Sequence, residues 1–429
     1  MKALSEGAIL ARRMLQRLAE ESADPPGVTR AAYGPGEQFA HDLARAEAEA
    51  LGAVAATDAA GNLYLTLHGA EPRLPALYIG SHLDSVPHGG NFDGAAGVVA
   101  GLAAMAEIVA RKTSLRRDLT VMVTRAEEAA WFPLSYPGSM AALGLLPAEA
   151  LDARRSDTGR TLSDHMKEAG FDPDAVRKGR PEIEAMRIRA FIEVHIEQGP
   201  RLVKRNRPVA VVTAINGGFR HVNARCFGAY AHSGAEPRFS RRDAVLGFAD
   251  LVQGLELLWD GLEAANEDVT ITFGRVESDP TQHGGSRVLG EIGLPLAGRR
   301  PSQAILDKIA ASLATLCNEI EATRGVRFEF DAPFTWAPAI MDGDLVMRFE
   351  HSAQGLGLDL PRLSSGAGHD AAAFAEAGIA SAMLFVRNEN GSHNPHESLD
   401  LADLDVAVRL LLEFVTNFDT DPSDRERST

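Results

Sequence analysis

The chain has very little cysteine, and this excludes two kinds of site. Its two cysteines, Cys226 and Cys317, form no Cys-x-x-Cys pair. Neither a thiolate zinc site nor a disulfide framework is therefore expected. Two reduced thiols are typical of a cytoplasmic protein, and we expect that location. Charged residues at helical spacing in the first two dozen residues favour an amphipathic helix over a signal peptide.

The sequence also lacks a block of basic residues and a long hydrophobic run. It has 59 acidic and 43 basic residues, so its formal net charge is −16. Phosphate binding needs a clustered positive field, and we expect no nucleic-acid partner. No apolar run approaches the ~18 residues that a membrane span requires, and we expect no membrane partner.

What the sequence does have is an alternation of short apolar runs and helical stretches over its 429 residues. Residues 74–80, 119–124, 190–196 and 381–386 are the short runs, and residues 94–112 read as a helix. This order predicts an α/β fold with a mostly parallel sheet covered by helices on both faces. Such sheets carry their chemistry at the carboxyl ends of the strands, and His or Glu lies near that end of all four runs.

The middle of the chain follows a different pattern. From residue 211 to 331 the order is β-α-β-β-α-β, with helices expected at 242–262 and 301–324 and the last strand at 326–330. This order is typical of a ferredoxin-like α+β domain. We therefore predict that residues 211–331 are inserted into a catalytic domain made of residues 1–210 and 332–429.

The stretch that follows the first run places a histidine among carboxylates. His82 is followed two residues later by Asp84, and Asp93 lies beyond a glycine-rich loop. A carboxylate two residues after a metal-binding histidine can hold the other ring nitrogen and fix the tautomer. The alternative is a glycine-rich surface turn with incidental acids.

Adjacent glutamates follow the second run. Glu127 and Glu128 are costly neighbours if both are buried and ionised, and a nearby dication would remove that cost. One could then bind metal while the other accepts a proton from a water that the metal activates. Seen alone, the pair is more often a solvated acidic turn.

Histidines also follow the last two runs. His195 lies in residues 193–200 (EVHIEQGP), and His393 and His396 lie in residues 391–397 (GSHNPHE). Each segment alone could equally be structural. Together the segments offer imidazole and carboxylate ligands without thiolate, a set that suits zinc, manganese or cobalt and is large enough for two ions.

Several motifs resemble one branch of a known family, the amidase, hydantoinase/carbamoylase branch of the M20 metallo-hydrolases. This branch includes N-carbamoyl-L-amino-acid hydrolases and allantoate amidohydrolases. The motifs run in the family's order across nearly the whole chain, and they are GSHLDSVPHGGNFDGAAGV (80–98), the glutamate pair, YPGS (136–139), HIEQGP (195–200), AHSG (231–234), SGAGHDA (365–371) and SHNPHE (392–397).

The resemblance implies a role for each candidate residue. One metal would be bound by His82, Asp93 and His195, and a second by Asp93, Glu128 and His393, with Asp93 bridging. Glu127 would be the general base, and His232 would reach the active site of a partner subunit. The remaining implied roles are substrate contacts for Gln198 and Arg299, support of His82 by Asp84, a supporting role for His369 and Asp370, and no metal ligation by His396.

The chain departs from the family at positions outside the metal ligands. Ser286 stands where the family has Asn, Ala297 where it has Asp, and Trp131 where Arg is common. These changes concentrate where the substrate tail would be held. The loss of an amide and the gain of an indole favour a substrate that is bulkier or less polar than allantoate.

The expected activity is hydrolysis of a C–N bond in an N-carbamoyl amino acid or a related ureido or amide substrate that carries a carboxylate. The expected cofactors are two divalent ions, Zn²⁺ or Mn²⁺ with Co²⁺ possible, and the expected assembly is a homodimer formed through the inserted domain. Two alternatives stay open at this point. One is an M20-type N-acyl-amino-acid amidohydrolase or dipeptidase, and the other is a non-catalytic binding protein on the same scaffold.

Overall fold

A computed structural model describes residues 4–265, 267–300 and 302–420. The predicted start of a helix at Pro301 and the last residues of the predicted catalytic domain, 421–429, lie outside this range. The chain separates into two compact units: unit 2 is Ala214–Ala339, and unit 1 is formed by the chain on either side of it. None of the helices in the described part of the chain combines the length and hydrophobicity needed to cross a bilayer.

The elements are numbered in chain order. The strands are β1 (Ala23–Asp24), β2 (Gly27–Val28), β3 (Val54–Thr57), β4 (Leu63–Leu67), β5 (Ala76–His82), β6 (Leu119–Thr124), β7 (Ile188–Ile196), β8 (Val209–Ile215), β9 (Gly217–His221), β10 (Arg225–Phe227), β11 (Ala231–His232), β12 (Thr270–Phe273), β13 (Arg287–Val288), β14 (Glu291–Gly293), β15 (Leu296–Arg300), β16 (Arg327–Glu329), β17 (Phe334–Trp336), β18 (Ala339–Ile340), β19 (Arg362–Ser365) and β20 (Ser381–Val386). The α-helices are α1 (Glu6–Glu21), α2 (Pro35–Ala50), α3 (Ala95–Ala110), α4 (Pro137–Ala142), α5 (Leu162–Glu168), α6 (Pro173–Val176), α7 (Arg201–Arg205), α8 (Ala244–Ala264), α9 (Gln303–Arg324), α10 (Gly343–Gly355), α11 (Asp370–Glu376) and α12 (Leu401–Thr420).

Unit 1 is built on a nine-stranded sheet in the order β18-β8-β20-β7-β5-β6-β4-β3, with β19 paired to β8. The four central strands, β20, β7, β5 and β6, are parallel to one another. Strands β8 and β4 join them antiparallel on either side. The four predicted runs are these four parallel strands, but the sheet as a whole is mixed. Every residue of β6 and β20 is buried, as expected for strands covered on both faces.

Helices cover both faces of this sheet. Ile79 and Val121 are neighbours across β5 and β6, and α3 lies close enough that a Cβ added at Gly101 would be 3.0 Å from Ile79. On the opposite face the ring of Phe191 stacks on Phe374 of α11, with centroids 3.6 Å apart. Because successive side chains of a strand alternate between faces, the two helices sandwich the central strands.

Unit 2 contains three small sheets and its own apolar core. The largest sheet has the order β12-β15-β9-β17 with all pairs antiparallel. Together with α8 and α9, these strands follow the order β-α-β-β-α-β of a split βαβ arrangement. The strand expected at 326–330 as the last of this series pairs instead with β10, and β17 takes its place beside β9.

Candidate metal centre

The carboxyl ends of β5 and β7 bring two histidines to one carboxylate. His82 is the last residue of β5, His195 is the penultimate residue of β7, and Asp93 lies just before α3. His195 Nε2 is 3.0 Å and His82 Nε2 is 3.6 Å from Asp93 Oδ1. The two Nε2 atoms are 3.4 Å apart. We call His82, Asp93 and His195 cluster A; all three are buried.

A second group uses the other oxygen of the same aspartate. His393 follows β20, and its Nε2 is 3.3 Å from Asp93 Oδ2 and 3.5 Å from Glu128 Oε1. We call Asp93, Glu128 and His393 cluster B. In each cluster, one candidate ligand atom from each residue lies within 4.8 Å of the others. Asp93 therefore stands between the two groups, with one carboxylate oxygen turned to each.

Asp84 holds parts of both glutamates and of a histidine. Its Oδ1 accepts the backbone N–H of Glu127 and its Oδ2 accepts that of Glu128, each at 3.1 Å. Its Oδ1 is also 3.3 Å from Nδ1 of His82. One fully buried carboxylate thus fixes the His82 ring and the backbone of the glutamate pair together, so that Nε2 of His82 faces the cluster.

Asp93 is held by a residue whose role the sequence did not reveal. Glu397 accepts the backbone N–H groups of Phe92 at 2.8 Å and of Asp93 at 3.1 Å. The hydroxyl oxygen of Ser392 lies 2.6 Å from a carboxylate oxygen of Glu397 and 2.6 Å from one of Asp93, and its single proton can be donated to either of them. A Cβ at Gly90 would lie 2.3 Å from the Glu397 carboxyl carbon, so only glycine admits this carboxylate. The glycine-rich loop and the last Glu of GSHNPHE were the available signals.

The backbone is strained at three points around the clusters. Ala126, Gln198 and His393 have φ angles of 55°, 61° and 59°, in the left-handed region that side chains with a Cβ disfavour. Such residues persist only where the surrounding contacts determine the conformation, and they gather at functional sites. Each of the three residues lies beside or within a cluster.

Burial and mutual repulsion make the acidic groups difficult to ionise together. Burial raises the pKa of Glu128 to about 7, with the Asp93 carboxylate adding to the shift. Burial also raises the pKa of Glu127 well above its usual range. Burial acts in the same direction on Asp93, but the charges and hydrogen bonds of His195, His393 and His82 hold its pKa well below normal. The hydrogen bond to Asp93 raises the pKa of His393 to about 9.

These side chains fit a pair of divalent cations. The donor set is imidazole and carboxylate, which suits borderline and hard dications. Among the described residues, Glu128 Oε1 is buried without a hydrogen-bond partner, and a cation would satisfy it. A positive charge between the clusters would also relieve the cost of ionising neighbouring carboxylates.

A third group of possible ligands lies beneath cluster A, but its atoms are already engaged. Glu193, His195 and His369 meet the same distance criterion. However, Glu193 accepts the Ser81 hydroxyl at 3.3 Å and the Ala371 N–H at 2.7 Å. His369 is bonded through Nε2 to the Ser365 hydroxyl at 2.7 Å and packs edge-on against the His195 ring. These contacts indicate support of His195.

The comparison with known families agrees with this geometry. The model of peptidase family M20/M25/M40 matches residues 78–417, which include every member of clusters A and B. The chain belongs to this family. The resemblance seen in the sequence is thereby confirmed.

Relatives of this M20 chain extend over nearly its whole length. The chain is 32% identical over 95% of its length to an N-carbamoyl-L-amino acid amidohydrolase of Geobacillus stearothermophilus, of which 98% is covered. It is 30% identical to an allantoate amidohydrolase of Escherichia coli, with 92% of this chain and 94% of the relative covered. A hydantoinase/carbamoylase family amidase from Burkholderia ambifaria has a similar structure, with a TM-score of 0.86, 27% identity and coverage of 96% and 98%.

Other residues predicted for this M20 chain lie in different surroundings. The side-chain N–H₂ of Gln198 donates to Asp93 Oδ2 at 2.7 Å, so this residue adjoins both clusters. Asp370 accepts the hydroxyls of Thr124 and Ser139, the latter from the YPGS motif. His396 is exposed.

Trp131 differs from the expectation that it adds apolar area for a substrate. Its indole is only 5% exposed and belongs to a buried apolar cluster with Phe132 and Leu151. The indole N–H donates to the Ser85 carbonyl at 2.7 Å, and the Arg155 guanidinium lies over the ring. Its apolar area therefore faces the protein core.

Two predicted residues lie in unit 2. His232 is exposed at the end of β11, and its Nδ1 accepts the backbone N–H groups of Gly234 and Ala235, each at 3.2 Å. A neutral His232 therefore carries its proton on Nε2. Arg299 lies in β15, with its guanidinium 5.8 Å from the centroid of the Trp336 ring. Two of the three departures from the family, Ser286 and Ala297, are also in this unit.

Proposed function

We propose that the protein is a metal-dependent amidohydrolase that cleaves a C–N bond of an N-carbamoyl amino acid or a related ureido or amide substrate. The observation that carries this proposal is the convergence of clusters A and B on Asp93, with Glu127 at their edge. Membership of the M20 family and the names of the curated relatives support it, because these relatives are N-carbamoyl-L-amino-acid and allantoate amidohydrolases.

The cofactors in this proposal are two divalent ions, Zn²⁺ or Mn²⁺, with Co²⁺ as a functional substitute. Cluster A would hold one ion and cluster B the other, with the Asp93 carboxylate shared between them. When bound, the ions supply Lewis-acid chemistry, activating a water as nucleophile and polarising the scissile carbonyl.

Glu127 would be the general base. Its Oε2 is 3.8 Å from His82 Nε2, so the carboxylate borders cluster A. In this mechanism Glu127 takes the proton of the attacking water and returns it to the departing nitrogen. Its burial keeps bulk water from competing for that proton. From an N-carbamoyl amino acid the products are the amino acid, carbon dioxide and ammonia.

Substrate contacts are assigned to residues of both units. Gln198 adjoins the clusters and would contact the substrate near the reacting carbonyl, while Arg299 would bind its carboxylate in a bidentate manner. His232 would donate from Nε2 to the carbonyl oxygen as negative charge develops there. In the proposed homodimer this histidine serves the active site of the partner subunit, and residues 211–331 act as the dimerisation and lid domain.

A substrate panel with metal replacement tests the proposal. Purified protein is treated with a chelator, dialysed, and supplied separately with Mn²⁺, Co²⁺ or Zn²⁺. We expect the chelated protein to be inactive, and the restored protein to release ammonia from N-carbamoyl amino acids or allantoate. N-acetyl amino acids and dipeptides serve as the competing substrates.

Each contrary result removes a defined part of the proposal. Full activity in metal-free protein would exclude the dimetal mechanism. Turnover of N-acetyl amino acids or dipeptides alone would replace the ureido assignment with an acylase or dipeptidase. Metal binding without turnover of any substrate would favour a binding protein.

A further inference from the structure

A buried glutamate on α2 contacts the backbone directly in front of the glutamate pair. Oε1 of Glu37 accepts the N–H of Ala126 at 2.9 Å, and Oε2 accepts the N–H of Tyr33 at 2.7 Å. Oε2 also pairs with the Arg125 guanidinium at 2.9 Å. Glu37 is fully buried and the Arg125 side chain is 2% exposed. Breaking such a pair leaves an uncompensated buried charge.

Ala126 needs this support more than an ordinary residue does. Its φ of 55° lies in the left-handed region, which is sterically unfavourable for a residue with a Cβ. The turn at Ala126 sets the direction in which the chain leaves β6 and therefore where Glu127 points. A contact that holds the N–H of Ala126 acts against relaxation of this turn.

Two carboxylates accept the backbone N–H groups of the loop from residue 126 to residue 128. Asp84 accepts the N–H groups of Glu127 and Glu128, whereas Glu37 accepts that of Ala126. Asp84 also contacts His82, but the described hydrogen bonds of Glu37 go to Tyr33, Arg125 and Ala126. Removal of Glu37 therefore disturbs the approach to Glu127 without removing a contact to a candidate metal ligand.

We propose that Glu37 is a positioning residue: its carboxylate, paired with Arg125, holds Ala126 in the left-handed conformation that aims Glu127 at the reacting water. This inference rests on the proposed function, in which Glu127 is the general base. Arg125 contributes by fixing the carboxylate, and it is itself held because its Nε–H donates to the Gly61 carbonyl at 3.0 Å and its Nη2 donates to the Gln38 amide oxygen at 2.6 Å.

The first test compares Glu37→Gln with the wild type. Gln keeps the size of the side chain, but its N–H₂ group would face the N–H of Ala126, or the N–H of Tyr33 and the Arg125 guanidinium, all of which are donors. We expect kcat to fall about 10- to 100-fold, because a small misplacement of a catalytic group has effects of that order. KM should stay within about twofold and metal content should be unchanged, since no proposed ligand is lost. A fall in stability with unchanged kcat would overturn the proposal.

Glu107 offers a matched control in the same unit. It is also a buried carboxylate, and it accepts the Gly7 N–H at 2.8 Å and the Arg111 Nε–H at 3.1 Å. It lies in the last turn of α3, at the opposite end of this helix from Asp93. We expect Glu107→Gln to lower the melting temperature and leave kcat unchanged. An equal loss of kcat in this variant would show that Glu37 matters only for general stability.

A second substitution separates positioning from stability. Glycine adopts a positive φ without the steric cost, so Ala126→Gly should make the turn less dependent on Glu37. We expect the kcat of the double variant Glu37→Gln/Ala126→Gly to be at least about threefold higher than that of Glu37→Gln. A double variant that is no more active than Glu37→Gln would show that the turn is not what Glu37 stabilises.

Hydrogen exchange gives a readout that does not depend on any substrate. In Glu37→Gln we expect faster amide exchange in a peptide that covers residues 125–128, with unchanged exchange in α3. This result would support the proposed role of Glu37 in holding Ala126, even if the substrate panel contradicted the proposed function. Unchanged exchange at residues 125–128 would overturn this role of Glu37, whether or not the variant is active. If Glu37→Gln does not fold, Glu37→Asp keeps the charge beside Arg125, and the same measurements apply to it.

Discussion

The ionisable groups of the candidate metal centre in unit 1 and of the turn at His232 in unit 2 lie in opposite environments, one buried and the other exposed. At the edge of unit 1, Asp93 and Glu128 are buried, and Asp84 and Glu397 hold the surrounding backbone. In unit 2, His232 is exposed, and within the described part of the chain the hydrogen bonds to its ring come from two N–H groups of its own turn.

This difference indicates where the chemistry is prepared in advance. A buried, hydrogen-bonded group costs little further reorganisation during a reaction, whereas an exposed histidine acquires a defined environment only when something covers it. The centre in unit 1 should therefore be sensitive to single substitutions in its supports. His232 should be sensitive to the state of assembly.

The largest expected effect is that of Glu127→Gln. This substitution removes the proposed base and leaves every member of clusters A and B in place. We expect kcat to fall by about 10²–10⁴-fold while the metal content measured by elemental analysis stays that of the wild type. Loss of metal from this variant would mean that the roles of Glu127 and Glu128 are reversed.

A smaller effect should follow from Asp84→Asn. The amide N–H₂ would face either the N–H of Glu127 or that of Glu128, because both are bound by the carboxylate in the wild type. We expect metal affinity to fall about 10- to 100-fold, as is typical when the support of a ligand is lost. Titration of the chelated protein with Zn²⁺ measures this, and an unchanged affinity would show that His82 is oriented by other contacts.

Mixing two inactive variants tests the role proposed for His232 in unit 2. If His232 serves the partner subunit, a dimer of one Glu127→Gln chain and one His232→Ala chain has one site with both lesions and one with neither. Equal mixing with random exchange should restore activity to about a quarter of the wild type. Absence of recovery, despite exchange shown by differently tagged chains, would mean that His232 does not act across a dimer.

The smallest effect concerns a buried histidine outside the clusters. Burial lowers the pKa of His41 well below normal, and the charge of Arg125 adds to the shift. Below about pH 6.5 the unfolded chain therefore binds a proton that the folded chain does not, and stability falls as the pH decreases. The free energy of unfolding of the wild type, taken relative to that of His41→Leu, should therefore decrease by about 1 kcal/mol from pH 6.5 to 5.5.

Urea denaturation at several pH values measures this difference. His351→Gln, at an exposed position on α10, is the control for removal of a histidine outside the core. A difference for His41→Leu that stays constant with pH would show that folding does not lower the pKa of His41.

Much of the central fold could be predicted from the sequence because each of the four central strands contains a short, mostly apolar run. The four runs are the four parallel strands, and the histidines and glutamates after them meet at one edge because parallel strands share their carboxyl ends. The antiparallel flanks were not anticipated, since strands such as β3 and β4 are short and partly exposed.

The supporting residues of the centre could not be found in the same way. Glu37 is 88 residues from Arg125 and 89 from Ala126, and Glu397 is 304 from Asp93. No local pattern reports contacts of such separation, and a lone glutamate near a helix N-terminus reads as an ordinary first-turn acid. Trp131 was misjudged for a related reason, because the sequence does not tell whether an indole faces a ligand or the core.

The spacing of the ligands along the chain also has a consequence during synthesis. Cluster A is complete once residue 195 has emerged from the ribosome, but cluster B requires His393, and Asp93 gains its Glu397 support only four residues later. The unit 2 segment is made between these two events. In the proposed mechanism, the residues that would hold the first ion are therefore all synthesised before unit 2, whereas those that would hold the second are complete only in a nearly finished chain.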